Sequence, residues 1–167
     1  MSCGAVLAIS LLLGDPNVAA AAAQPPAAPA GPGSVVGSIA AEPLFADIVA
    51  RSGTLKGVVE GWIAAGVMDQ ADFAAGAAFT GFKTRAVELA ALDMQAHVVL
   101  RDRGVDGDLK CILRGISEDM PLKVAAVETA ATPAERRVAL DELAYLLDDN
   151  AAVITAPPQP EVQGAGS

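Results

Sequence analysis

Aromatic side chains make up only 4% of the 167 residues, so a folded core must be built from alanine, valine and leucine. Each of these removes less apolar surface from water than a ring does, at about 25 cal/mol per Å². Bases are scarce as well: 11 Lys and Arg stand against 20 Asp and Glu, for a formal charge of −9. This excludes nucleic acid and anionic membrane surfaces as partners, because both require a basic face that displaces counterions. One histidine and two cysteines rule out a four-ligand Cys/His zinc site from a single chain and a disulfide-dense scaffold. The sequence contains no GxxxxGK[ST], HExxH, GxSxG or CxxC, and no GxGxxG after a strand pattern. Nucleotide, metalloprotease, esterase and thioredoxin chemistry are therefore without support, and neither a cofactor nor a metal is expected.

What is present points to a core. Hydrophobic residues reach 53%, charged residues stay at 19% and mean hydropathy is +0.43, whereas a disordered acidic chain needs low hydrophobicity. The length suits one acidic domain with appendages. Ala5 to Leu13 form an apolar run, closed by Gly14-Asp15-Pro16, that is too short to cross a bilayer. With the alanines up to Ala23 it predicts a signal peptide over 1–23, although no Lys or Arg precedes Arg51. The expected location is periplasmic or secreted, with the cytoplasm as the alternative. Cys3 follows only Met1-Ser2, a poor setting for lipidation. Residues 24–41 read as an Ala/Pro/Gly-rich linker and 155–167 as a disordered tail, which leaves 42–154 as the foldable domain.

That domain reads as all-α, a helical bundle of about five to six helices. Pro43 opens a short helix that Gly53 stops, and Thr54 caps a second one that ends at Gly66. Asp69 caps a long third helix running toward Gly104. Asp106 or Asp108 starts a fourth with Leu109, Ile112, Leu113 and Ile116 on its apolar face, and Pro121 opens a fifth. Thr132-Pro133-Ala134-Glu135 is a capping box for the last helix, which reaches Asp149 with Asn150 as a left-handed terminator. Strand signals are confined to Val153-Ile154.

Few side chains suggest chemistry. Cys111 falls opposite the apolar face of its helix, between Lys110 and Arg114 and close to the helix start, a setting that favours a thiolate. Removal of 1–23 would leave it as the one thiol. A nucleophilic role would need Asp93 to orient His97 and His97 to face Cys111. Otherwise Asp93, His97 and Arg101 form a solvated polar line one turn apart. Gly57, Gly61 and Ala65 recur every four residues as a shallow packing ridge. Arg136 and Arg137 in the first turn of the last helix, and Asp148 and Asp149 in its last turn, oppose the helix dipole and suggest an electrostatic patch for a basic partner. The leading functional expectation is an exported helical domain that binds another protein as an accessory, adaptor or inhibitor. The alternative is a ligand- or cofactor-binding bundle built on Trp62, Phe73, Phe79 and Phe82, and a thiol-dependent enzyme comes third.

Overall fold

Four long helices make up the computed structural model, which describes residues 39–104 and 108–156. They are α1 (Pro43–Ala65), α2 (Ala77–Asp102), α3 (Leu109–Thr129) and α4 (Pro133–Thr155). No strand occurs among the described residues, and Val153 and Ile154 lie buried on the last turns of α4. The expected signal peptide, most of the linker, Asp106 and nearly all of the tail lie outside the described residues.

Among the described residues the long helices number four, not the expected five to six, because two expected breaks do not occur. In α1 the buried positions Phe45, Ile48, Ser52, Leu55 and Val59 keep a three-four spacing straight across Gly53. In α3, Leu113, Ile116, Met120, Val124 and Val127 do the same across Pro121. An interior glycine costs about 1 kcal/mol and a proline about 3, whereas fully burying one Leu, Ile or Phe side chain contributes about 1.5 to 3. A continuous buried face outweighs either penalty.

The start of α2 also moves. Asp69 caps nothing, and one-turn 3-10 segments occupy Val67–Asp69 and Phe73–Ala75, so that α2 begins after Gly76. The buried side chains Met68 and Phe73 hold this connector against the bundle. The carbonyls of Met68 and Gln70 accept from Arg136, and Gln70 O also accepts from the Phe73 amide at 3.2 Å. Gly66 closes α1 as expected, with φ 65°, a conformation that a Cβ would disfavour. Asp108 precedes α3 but caps it with its backbone carbonyl, which accepts from Cys111 N at 2.8 Å, and not with its side chain. The capping box of α4 forms as read: Glu135 N donates to Thr132 Oγ1 at 3.2 Å, and Thr132 N donates to Glu135 Oε2 at 3.1 Å.

Side-chain pairs fix the topology. Lys83–Glu128, Ser117–Ala90 O and His97–Lys110 O run in opposite residue order along α2 and α3, so these helices are antiparallel. Ser52–Asn150 and Lys56–Asp148 show the same for α1 and α4. Each helix packs chiefly on two neighbours: α1 and α3 both touch α2 and α4. The result is an up-down four-helix arrangement in which the first and last helices are adjacent. Ile39, just before α1, is only 7% exposed and joins the core, so the folded domain begins before the expected boundary at Glu42.

Candidate functional site

The centre of the bundle is polar. Ser52 of α1, Asp93 of α2 and Asn150 of α4 are each 0% exposed, and all three occupy positions in the three-four series that otherwise carries Leu, Ile and Phe. Asn150 Nδ2 donates to Ser52 Oγ at 3.1 Å and to Asp93 Oδ2 at 3.0 Å. One amide thereby joins three helices, two of which lie diagonally across the bundle. Asn150 is therefore an interior helical residue rather than a left-handed terminator, and no described non-glycine residue has positive φ. Asp93 Oδ1 and Asn150 Oδ1 lack hydrogen-bond partners. Burial pushes the Asp93 carboxyl up to about 7, and the bond from Asn150 opposes that rise only in part.

The expected polar line on α2 is thus not a solvated stripe. Asp93 points inward, and Arg101 lies at the surface against Asp102. His97 is half-buried, with Nδ1 2.6 Å from the carbonyl oxygen of Lys110. Because a carbonyl only accepts, Nδ1 carries the proton in this bond. The structure brings His97 to the backbone beside Cys111, but the Asp93–His97 leg of a triad is not formed, since Asp93 is bonded to Asn150. Cys111 is free and exposed. Arg114 is exposed and lies 3.8 Å from Glu118. Lys110 is half-buried at the start of α3.

At the other end, Arg136 is only 8% exposed. Its guanidinium donates to Met68 O at 2.5 Å and to Gln70 O at 3.2 Å, reaches Ala130 O at 3.5 Å, and lies 5.8 Å from the centroid of Phe73. This overturns its reading as a surface charge set against the helix dipole: it is a clamp on the α1–α2 connector. Arg137 pairs with Asp141 at 3.1 Å and Asp148 with Lys56 at 2.6 Å, so these charges are locally compensated. Trp62, Phe73, Phe79 and Phe82 pack on one another with neighbouring centroids 5.1 to 6.3 Å apart. The rings fill the space between themselves. A shallow depression of about 310 Å³ borders Trp62, Phe73 and Phe79 on the outside.

Gly57 and Gly61 are exposed, and an added Cβ would meet nothing within 4 Å. No other helix of the bundle lies on this ridge. A different surface departs further from the ordinary. Leu122 is 66% exposed, Val138 57% and Tyr145 73%. Val138, Glu142 and Tyr145 share one face of α4, and Leu122, Ala126 and Thr129 share one face of α3. The two faces flank a groove of about 540 Å³ lined by Ala126, Ala130, Ala134 and Val138, with Glu135 and Glu142 at its edge. Isolated exposed apolar residues are normal on any protein, but Val138 lines this groove, and Leu122 and Tyr145 each lie one turn from a residue that lines it, Ala126 and Glu142. Periodicity could have shown both features. Ser52, Asp93, Arg136 and Asn150 are polar residues in core register, and Val138 and Tyr145 are apolar residues out of it.

No helix of the described residues is long and apolar enough to cross a membrane. Compared with known protein families, curated proteins and solved structures, the chain matches none of them.

Proposed function

We propose that this chain is an exported docking module whose α3/α4 face binds a partner protein through an apolar helix with basic flanks. The observation that carries the reading is the alanine-lined groove with Val138 in its wall and the exposed Leu122 and Tyr145 one turn from its lining residues. Tyrosine is enriched among residues that dominate binding energy, because it supplies a large rigid area with a polar tip. The surroundings give the partner its charge. Glu135, Asp141 and Glu142 are exposed on α4 and Asp149 is half-buried near its end, whereas the nearby bases Lys123 and Arg137 are already paired with Glu142 and Asp141. The excess is negative, in line with the formal charge of −9, and it would attract basic side chains beside the apolar contact. Export rests on the apolar Ala5 to Leu13 run and the alanines that follow it.

The test uses a designed amphipathic Leu/Lys helical peptide, with binding to the full chain followed by fluorescence anisotropy. Tyr145→Ala and Val138→Ser should each weaken binding tenfold or more, a loss of about 1.4 kcal/mol or above. Both side chains are exposed, so stability should stay within about 0.5 kcal/mol. Binding should also weaken with added salt. No binding, or binding indifferent to both substitutions, would refute this face as the docking surface.

A further inference from the structure

Independently of the docking face, the buried polar layer has a property that satisfied hydrogen bonding alone does not explain. Asn150 has used both amide hydrogens, one on Ser52 Oγ and one on Asp93 Oδ2. Two acceptors, Asp93 Oδ1 and Asn150 Oδ1, remain buried without a donor. Buried acceptors without partners are rare because they forfeit the bonds that water would supply. A carboxyl and a carboxamide already joined by one N–H···O bond offer the simplest remedy. If the second carboxyl oxygen carries a proton, it becomes a donor, and the amide oxygen is the acceptor that needs it. One proton satisfies both atoms in one bond.

We propose that Asp93 is a protonation switch at the centre of the bundle: protonated on Oδ1, it donates to Asn150 Oδ1 and closes a two-bond acid–amide ring, and on releasing that proton to solvent it loosens the hold of α4 on α1 and α2. The surroundings suit this role. From α1 the cluster is met by the neutral Ser52, and the nearest charges, Arg51 and Lys56, are committed at the surface to Asp47 and Glu88 and to Glu60 and Asp148. From α4 it is met by Asn150, with Asp148 turned outward to Lys56 and the neighbouring Asp149 half-buried. From α3 it is met by Ser117, bonded to Ala90 O, while Glu118 pairs with Arg114 and Asp119 is exposed. On α2 itself, His97 is bonded to Lys110 O and Glu88 to Arg51. No charged neighbour contributes to the upward shift of Asp93, which comes from burial against the single bond of Asn150.

The sign follows from linkage. A carboxyl that holds its proton to about pH 7 when folded and only to about 3.9 when unfolded makes the folded state the better proton binder between those values. Stability therefore falls as pH rises through this window and levels off above it, with the unfolding constant increasing about a thousandfold. Surface carboxylates such as Glu42, held below the usual range by Arg103, act in the opposite sense and at lower pH. The interval from pH 5 to 8 therefore separates Asp93 from carboxylates of that kind, and a His97→Gln variant separates it from the one histidine.

The experiment measures urea unfolding of the full chain from pH 5 to 8 for wild type, Asp93→Asn and His97→Gln, together with the carboxyl carbon shift of Asp93 by NMR in the wild type. The expected result is a wild type that loses stability with rising pH, as does His97→Gln, and an Asp93→Asn protein that is flat, because its amide supplies the same donor and acceptor at every pH. The Asp93 carbon should titrate within the same interval. A flat wild type, an equal slope in Asp93→Asn, a slope abolished by His97→Gln, or an Asp93 carboxyl already ionised at pH 5 would each overturn the proposal. The NMR measurement decides even if Asp93→Asn fails to fold.

Discussion

Replacing Arg136 with methionine removes the clamp on the α1–α2 connector while keeping most of the aliphatic stem that packs in the same space. The guanidinium bonds the carbonyls of Met68 and Gln70 and makes a longer bond to Ala130 O. A hydrogen bond from a charged donor contributes about 1.5 to 3 kcal/mol, so the two short bonds represent about 3 to 6 kcal/mol gross. Against this stands the cost of holding a cation away from water with no carboxylate beside it and with Nε unbonded. Methionine relieves that cost but takes the guanidinium donor from Met68 O and leaves Gln70 O with the Phe73 amide alone. A net loss of about 2 to 4 kcal/mol results. Urea unfolding gives the total, and amide hydrogen exchange shows where it arises: amides between Gly66 and Gly76 should lose protection first, because Met68 and Phe73 no longer have a fixed connector. Arg136→Lys should fall between, since an ammonium lacks the planar fork that serves separate carbonyls. A loss below about 0.5 kcal/mol with unchanged exchange, the signature of an ordinary surface residue, would refute the clamp.

Gly57→Ala and Gly61→Ala should each stabilise the protein by about 0.5 to 1 kcal/mol, because both sit in the interior of α1 with open space where the methyl would go. Thermal unfolding checks this, and destabilisation of either variant would mean that another backbone lies on the ridge in solution. Thr132→Ala should cost about 1 kcal/mol through loss of the cap on α4. Leu143→Ala, at a fully buried position, should cost about 2 to 5 kcal/mol through the cavity it leaves. Equal effects of these two substitutions in denaturant unfolding would contradict the placement of α4.

The parts of the fold legible in the sequence were those set by local chemistry. Thr132 and Glu135 lie three residues apart and need only each other, so the capping box forms wherever the chain turns into α4. Gly66 likewise ends α1 through its own backbone freedom. Gly53 and Pro121 misled because a local penalty competes with burial along the whole helix, and the series Phe45, Ile48, Ser52, Leu55 shows which prevails. The same series hid the centre of the molecule. One-turn spacing sets Asp93 in line with His97 and Arg101, but it is also in step with Leu89, Ala96 and Leu100, and that second periodicity determines which way it points. Residue type alone suits Asn150 to a helix terminus, but Leu143, Leu147 and Ile154 place it in the core register. Which partners such inward polar residues meet depends on pairings 57 and 98 residues apart, and these cannot be read from one helix at a time. Cys111 was placed at the surface by the wheel, and it lies there.

The adjacency of α1 and α4 imposes an order on assembly. As the chain is synthesised, α1, α2 and α3 emerge first and can form antiparallel hairpins from near neighbours, which are quick to close. Until Asn150 appears, however, Ser52 and Asp93 have no amide between them and face the open side of a three-helix intermediate. Such an intermediate also leaves Leu55 and Val59 of α1 without the flank that α4 covers. The last helix is therefore the keystone, and completion of the fold waits on a segment near the end of the domain rather than proceeding outward from its start. Until then the chain is acidic with an apolar face still uncovered, a state that persists for as long as α4 is withheld.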